Sequence, residues 1–206
     1  MSSMLHVIDN FLPDQDRQAL KEVCEIHGCL RQQLDGDALF SWLPTNDNTA
    51  SARSPHTPER QAVVERYLFQ YLLQEINRLT QNHVGVEWWC NTNNDLDWHI
   101  DKDETFASMT GKFSLPLLST VFYPHVSCAG GELLVADNEP VRDNMQGHQP
   151  QFRSVISIPP VKNRLVIFSQ GILHRINPLQ GERYSFALNV WDHPPKQSPD
   201  AHSRAI

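Results

Sequence analysis

From about Val84 to Trp191 the chain is a succession of short β-rich runs set off by turn residues, and nothing else narrows its folding options as much. The runs are Val84–Cys90, Leu96–Asp101, Leu117–Tyr123, Glu132–Ala136, Ser154–Ile158, Arg164–Phe168 and Tyr184–Trp191. Between them stand Asn91-Thr92-Asn93-Asn94, Gly130-Gly131 and Pro159-Pro160, which end strands and start turns. No helical periodicity intrudes on this half. Strands this short bury their apolar face only by layering, so the expectation is a mainly β fold: a β-sandwich or jelly roll with helices packed on one sheet.

The helices come from the N-terminal third. Leu5 to Ile8 is a short apolar run and a plausible strand. Asp14, after Leu12-Pro13, is placed to cap a helix carrying Leu20, Val23, Cys24 and His27, with Gly28 to end it. Residues 31–56 are polar and broken by Gly36, Pro44 and Pro55, which predicts a long loop or a short irregular excursion. Thr57-Pro58-Glu59 then opens a helix with Thr as cap and Pro in first position, and Val64, Leu68, Tyr71, Leu72 and Leu79 form its packing stripe. At 206 residues and 40% apolar content the expectation is a single domain: helical support over 1–83, β-core over 84–192, and a loosely held tail over 193–206.

The formal charge of −7 argues against a general nucleic-acid binder, whose affinity rests on cationic contacts to phosphate. No apolar run reaches the roughly 20 residues a membrane span requires, and Met1 to Asn10 is not built like a signal peptide, so a cytoplasmic protein is expected. Cys24, Cys29, Cys90 and Cys128 form no CxxC and no paired metal spacing, and read as reduced structural thiols.

The chemistry sits in a dispersed pattern. His99-Ile100-Asp101 puts an imidazole and a carboxylate on one face of a strand. Ten histidines make such a triplet cheap, so it says little alone. Arg164 to Ser169 is a buried-strand pattern leading to His174, followed by a turn from Asn177-Pro178 to Gly181 and the strand Arg183 to Trp191. The expected hairpin sets His174 near the turn end of one strand and Arg183 at the start of the next. His99, Asp101 and His174 would complete a 2-His-1-carboxylate facial triad, leaving coordination positions open on Fe(II). An arginine nearby can fork onto a carboxylate of a chelating co-substrate.

With these residues the sequence resembles the 2-oxoglutarate/Fe(II)-dependent dioxygenases, in their prolyl 4-hydroxylase-like branch. The resemblance rests on His99-Ile-Asp101, on Thr120-Val-Phe-Tyr123 followed by Gly130-Gly131-Glu132-Leu133, on Arg164-Leu-Val-Ile-Phe168, and on His174 through Arg183-Tyr184. The opening His6-Val-Ile-Asp-Asn-Phe-Leu12 also resembles the usual entrance to that domain. It implies a double-stranded β-helix, with His99, Asp101 and His174 as iron ligands, and Arg183 and Tyr123 on the distal carboxylate of 2-oxoglutarate. Ser185 shares the Arg183 face and would add a hydrogen bond. Trp89 stands near the place of a co-substrate tyrosine in the branch. Implied as well are O₂ as co-substrate, ascorbate as reductant, succinate and CO₂ as co-products, and a prolyl peptide, a protein or a free amino acid as substrate. A carboxylate at Asp101 favours hydroxylation over halogenation. A cupin-like metal protein that does not use 2-oxoglutarate is the alternative.

Other polar residues have plainer readings. Asp95, Asp97, Asp103 and Glu104 are expected to be mostly solvated loop carboxylates, with Asp97 on the His99 face. Trp98 and Arg175 read as structural, and His125, His148, His193 and His202 as surface histidines.

Overall fold

The computed structural model describes residues 5–25, 40–45, 58–91, 97–136, 152 and 154–196. Its strands are β1 (Leu5–Ile8), β2 (Ser41–Pro44), β3 (Gly85–Asn91), β4 (Leu118–Gly130), β5 (Leu133–Ala136), β6 (Val155–Ile158), β7 (Leu165–Ser169), β8 (His174–Ile176) and β9 (Leu179–Trp191). They form two antiparallel sheets, one of six strands ordered β1-β7-β4-β9-β3-β2 and one of three ordered β6-β5-β8. This is the jelly-roll arrangement expected of the strand pattern.

Register decides what each face of the large sheet carries. Phe122 pairs with both Phe186 and Leu165, and Leu118 with Val190, so these side chains share one face. Together with Val86, Trp88 and Leu188 they form a core against the helices. The alternate residues Val166, Phe168 and Tyr123 meet Leu133, Val135 and Ile158 of the small sheet in a second core. The candidate site is built at this second, inter-sheet layer.

Helix α1 (Asp14–Cys24) brings Leu20, Val23 and Cys24 to the first core. The second helical stretch runs as α2 (Pro58–Arg66), a π-helical segment Tyr67–Leu72, and α3 (Leu73–Leu79). Its fully buried residues Val64, Leu68, Leu72 and Ile76 recur every four positions. On a pure α-helix such a stripe drifts by about 40° at each step. The wider π turn absorbs that drift and keeps all four on the sheet. Phe11 locks the chain entry here, edge-on to Tyr67, Tyr71 and Phe122 at 6.0–6.5 Å between ring centres.

Several expectations need correction. Pro13, not Asp14, caps α1; Asp14 is its first residue and accepts from the Arg17 guanidinium at 2.7 and 2.9 Å. That helix ends at Cys24, before His27 and Gly28, which lie outside the described residues, as do Cys29 and Thr57. The 31–56 stretch contains strand β2, so both β1 and β2 carry the sheet into the N-terminal 83 residues. A short helix α4 (Glu104–Thr110) interrupts the strand-rich half. The start of the tail is tied down: the Lys196 amide donates to Asp103 Oδ2 at 2.6 Å, and Pro195 is buried.

Candidate metal centre

His99 and His174 are held opposite one another by a single antiparallel bridge, each amide donating to the other's carbonyl at 3.0 Å. Within the described residues Asp97–Asp101 the bridge at His99 replaces the expected strand. The pairing puts both imidazoles on the inter-sheet face, with ring centres 4.2 Å apart. Asp101 Oδ1 lies 3.8 Å from His174 Nε2. One donor atom from each of His99, Asp101 and His174 falls within 4.8 Å of the others, in reach of a shared ion.

Both rings are oriented by the same local device. His99 Nδ1 lies 2.7 Å from the Asp97 carbonyl and His174 Nδ1 3.0 Å from that of Ile172, each two residues upstream. A carbonyl only accepts, so each Nδ1 carries a proton, and the neutral tautomer this selects is the one that leaves the Nε2 lone pair for a metal. Burial pushes the His174 imidazole below its ordinary value; Asp101 opposes this and His99 adds to it. A neutral ring is what a metal ligand requires. Phe168, centred 4.8 Å from His174, forms the apolar floor.

Arg183 is reached by a different route from the one expected. β8 and β9 do not pair as a hairpin: β8 joins β5 in the small sheet, while β9 lies between β3 and β4 in the large one. The chain crosses the sandwich between His174 and Arg183, which sets the two groups on opposing layers. Arg183 is 1% exposed, and its Nη1 donates to the Gly131 carbonyl at 2.8 Å. Gly131 has φ +76°, and a Cβ there would crowd Arg183 Nη1 at 3.4 Å, so the glycine of the Gly130-Gly131 turn suits both backbone and guanidinium. The Tyr123 ring is 5.9 Å from the Arg183 Cζ. Burial pushes the Tyr123 phenol up to about 12, against the pull of Arg183, so it stays protonated and can donate. Among the described residues its hydroxyl has no partner. Ser185, buried, shares the Arg183 face.

A buried cation beside an orphaned phenol fits the distal carboxylate of a dicarboxylate, and two imidazoles held by their Nδ1 atoms with a carboxylate fit Fe(II). Trp89 shares the inter-sheet face through its pairing with Ala187, but its ring contact is Phe40, at 5.2 Å between centres. Asp103 is not a solvated acid: at 4% exposure it caps α4 through Phe106 N, 2.8 Å away. Trp98 and Arg175 stack on each other at 5.6 Å. His125 lies 3.6 Å from Glu182, and His193 bonds Ser114 at 3.0 Å. Asp95, His148 and His202 lie outside the described residues. The orienting carbonyls of Asp97 and Ile172 escaped the sequence reading because backbone acceptors leave no mark on residue type.

A family model described as the 2OG-Fe(II) oxygenase superfamily matches residues 86–191, just over half of the chain. The chain belongs to that superfamily. It is therefore a dioxygenase, dependent on Fe(II) and 2-oxoglutarate and using O₂. Solved structures agree in fold. A Pseudomonas putida prolyl-4-hydroxylase superposes with a TM-score of 0.52 at 16% identity, covering 91% of each chain. A Trichoplax adhaerens prolyl hydroxylase, in complex with a hypoxia inducible factor oxygen degradation domain peptide fragment, gives 0.52 at 18%, covering 91% of this chain and 83% of that one. A prolyl 4-hydroxylase from Phytophthora capsici gives 0.50 at 16%, covering 97% and 64%. No curated protein matches in sequence. Among the described residues no helix is long and apolar enough to cross a membrane.

Proposed function

We propose that the enzyme hydroxylates a prolyl residue of a peptide or a related amino-acid substrate, with His99, Asp101 and His174 holding the iron. The convergence of those three side chains, with both Nδ1 atoms committed to carbonyls, carries this reading. Arg183 binds the distal carboxylate of 2-oxoglutarate and Tyr123 donates its hydroxyl to the same group. When bound, Fe(II) with 2-oxoglutarate and O₂ supplies the oxidative decarboxylation that yields succinate, CO₂ and one oxygen atom for the substrate.

The remaining work belongs to the protein. His99 and His174 present their Nε2 atoms, and Asp101 supplies a carboxylate oxygen. Phe168 and the apolar residues of the second core keep water from the reacting centre. Arg183, itself buried, holds the co-substrate by one end and so fixes the direction in which it lies.

Anaerobic addition of Fe(II) and 2-oxoglutarate should produce a visible charge-transfer band that is lost in His174→Ala. No band in the intact protein refutes this assignment. A metal spectrum insensitive to 2-oxoglutarate favours the cupin-like alternative. Mass detection of one added oxygen across prolyl peptides and free amino acids tests the substrate.

A further inference from the structure

Across the large sheet one register row is unusually polar for a buried position. Trp42 pairs with Glu87, Glu87 with Asn189, Asn189 with Ser119, and Ser119 with Phe168, so all five lie on the same face. That face is the inter-sheet one, because Phe168 belongs to the second core and packs on His174. Glu87, Asn189 and Ser119 are 9%, 4% and 3% exposed. Among the described residues Asn189 Oδ1 has no hydrogen-bond partner, nor have the indole N–H groups of Trp42 and of Trp191, which shares the Asn189 face two positions on. An unmade hydrogen bond at a buried carbonyl is costly, and no described residue supplies the donor that this one calls for.

Position says which partner. Arg183 and Asn189 are six residues apart on one face of β9, about 20 Å. The row abuts the triad through Phe168 and lies toward the opposite end of β9 from the co-substrate anchor, the end left to the primary substrate in the reading above. We infer that Asn189 is a specificity-determining residue whose side-chain oxygen accepts the peptide N–H that follows the reacting prolyl unit. This inference rests on the prolyl reading above and names the chemical unit that the site recognises. An ester in place of that amide removes the donor and sets two oxygens against each other.

Binding of acetyl-Ala-Pro-Ala amide is compared with that of the depsipeptide in which lactate replaces the last alanine. Both are titrated into the full chain loaded with Mn(II) and 2-oxoglutarate, without oxygen. Wild type should prefer the amide by about tenfold or more. Asn189→Leu should reduce the preference to within about twofold while leaving 2-oxoglutarate binding unchanged, which also reports that it folds. Asn189→Asp, which keeps the acceptor, should retain the preference, and so should Thr120→Val on the opposite face. Equal binding of the two peptides by wild type, or undiminished preference in Asn189→Leu, means ordered water only at Asn189 and overturns the inference. If both peptides are hydroxylated equally well, the prolyl reading stands and this one falls. If neither binds while 2-oxoglutarate does, both fall.

Discussion

Asn163 joins three separate parts of the chain, and its replacement should cost more than that of any ordinary turn residue. It sits at φ +66° in the turn Val161–Arg164, which is closed by Arg164 N donating to Val161 O at 3.1 Å. Its side chain brackets Leu12: Nδ2 donates to the Leu12 carbonyl at 2.8 Å, and Oδ1 accepts from the Leu12 amide at 2.9 Å. Its backbone donates to Tyr123 O at 2.8 Å and accepts from Phe11 N at 3.1 Å. One residue therefore pins the entry to α1 against the strand that carries Tyr123.

Asn163→Gly keeps the left-handed backbone but loses both side-chain bonds, at about 1 kcal/mol each, plus about 0.5 kcal/mol of backbone entropy. Asn163→Ala loses the same bonds and adds about 1–2 kcal/mol of left-handed strain. The expected destabilisation is about 2.5 kcal/mol for glycine and about 3–4 kcal/mol for alanine, or Tm losses of roughly 5–10 °C and 6–16 °C. Urea denaturation of the metal-free protein measures both. A cost below about 1 kcal/mol for either variant refutes the clamp, and alanine proving milder than glycine refutes the strain argument.

Three further outcomes are expected. Tyr123→Phe removes a hydroxyl with no partner among the described residues, so stability should change by less than about 0.5 kcal/mol while the KM for 2-oxoglutarate rises roughly five- to tenfold. Gly85→Ala drives a Cβ into the buried Trp42 ring and to 2.8 Å from the Leu43 carbonyl, and should cost about 1–3 kcal/mol in chemical denaturation. His83, bonded to Thr45 and Asn77 at 2.7 and 2.8 Å, has its pKa lowered by burial. Below its ordinary value of about 6.5 the unfolded chain takes up a proton that the folded ring resists, so stability falls as pH falls through that window and is flat above it at this site. The urea midpoint of His83→Gln should lose less between about pH 7.5 and pH 5.5 than that of wild type, and an identical slope would refute the assignment.

How much of the fold is legible in the sequence depends on how local its cause is. The buried runs at Arg164–Phe168 and Tyr184–Trp191 announce themselves by composition, and β7 and β9 form there because the apolar side chains have two cores to fill. β2 is only four residues long and ends in Pro44, so nothing in its own residues distinguishes it from a loop; it is a strand because β3 offers an edge. Asp103 looks like a solvated acid until α4 and Lys196 both find it.

The candidate site divides along the same line. Residue types and spacing picked out His99, Asp101, His174 and Arg183, because metal-binding and anion-binding side chains are chemically distinctive, and Tyr123 followed from the family resemblance. They did not tell which layer each would occupy. The two residues between Ile176 and Leu179, Asn177 and Pro178, look like part of a hairpin turn, yet they carry the chain from the small sheet to the large one. Had β8 and β9 been partners in one hairpin, His174 and Arg183 would sit side by side on a single layer, with no gap between them for a dicarboxylate. Because the turn crosses the sandwich, the two groups belong to opposing layers, and the space between sheets is where an extended co-substrate can lie. That crossing rests on pairings with β5 and β4, distant in sequence, which is why a short and unremarkable turn concealed the step that makes the site.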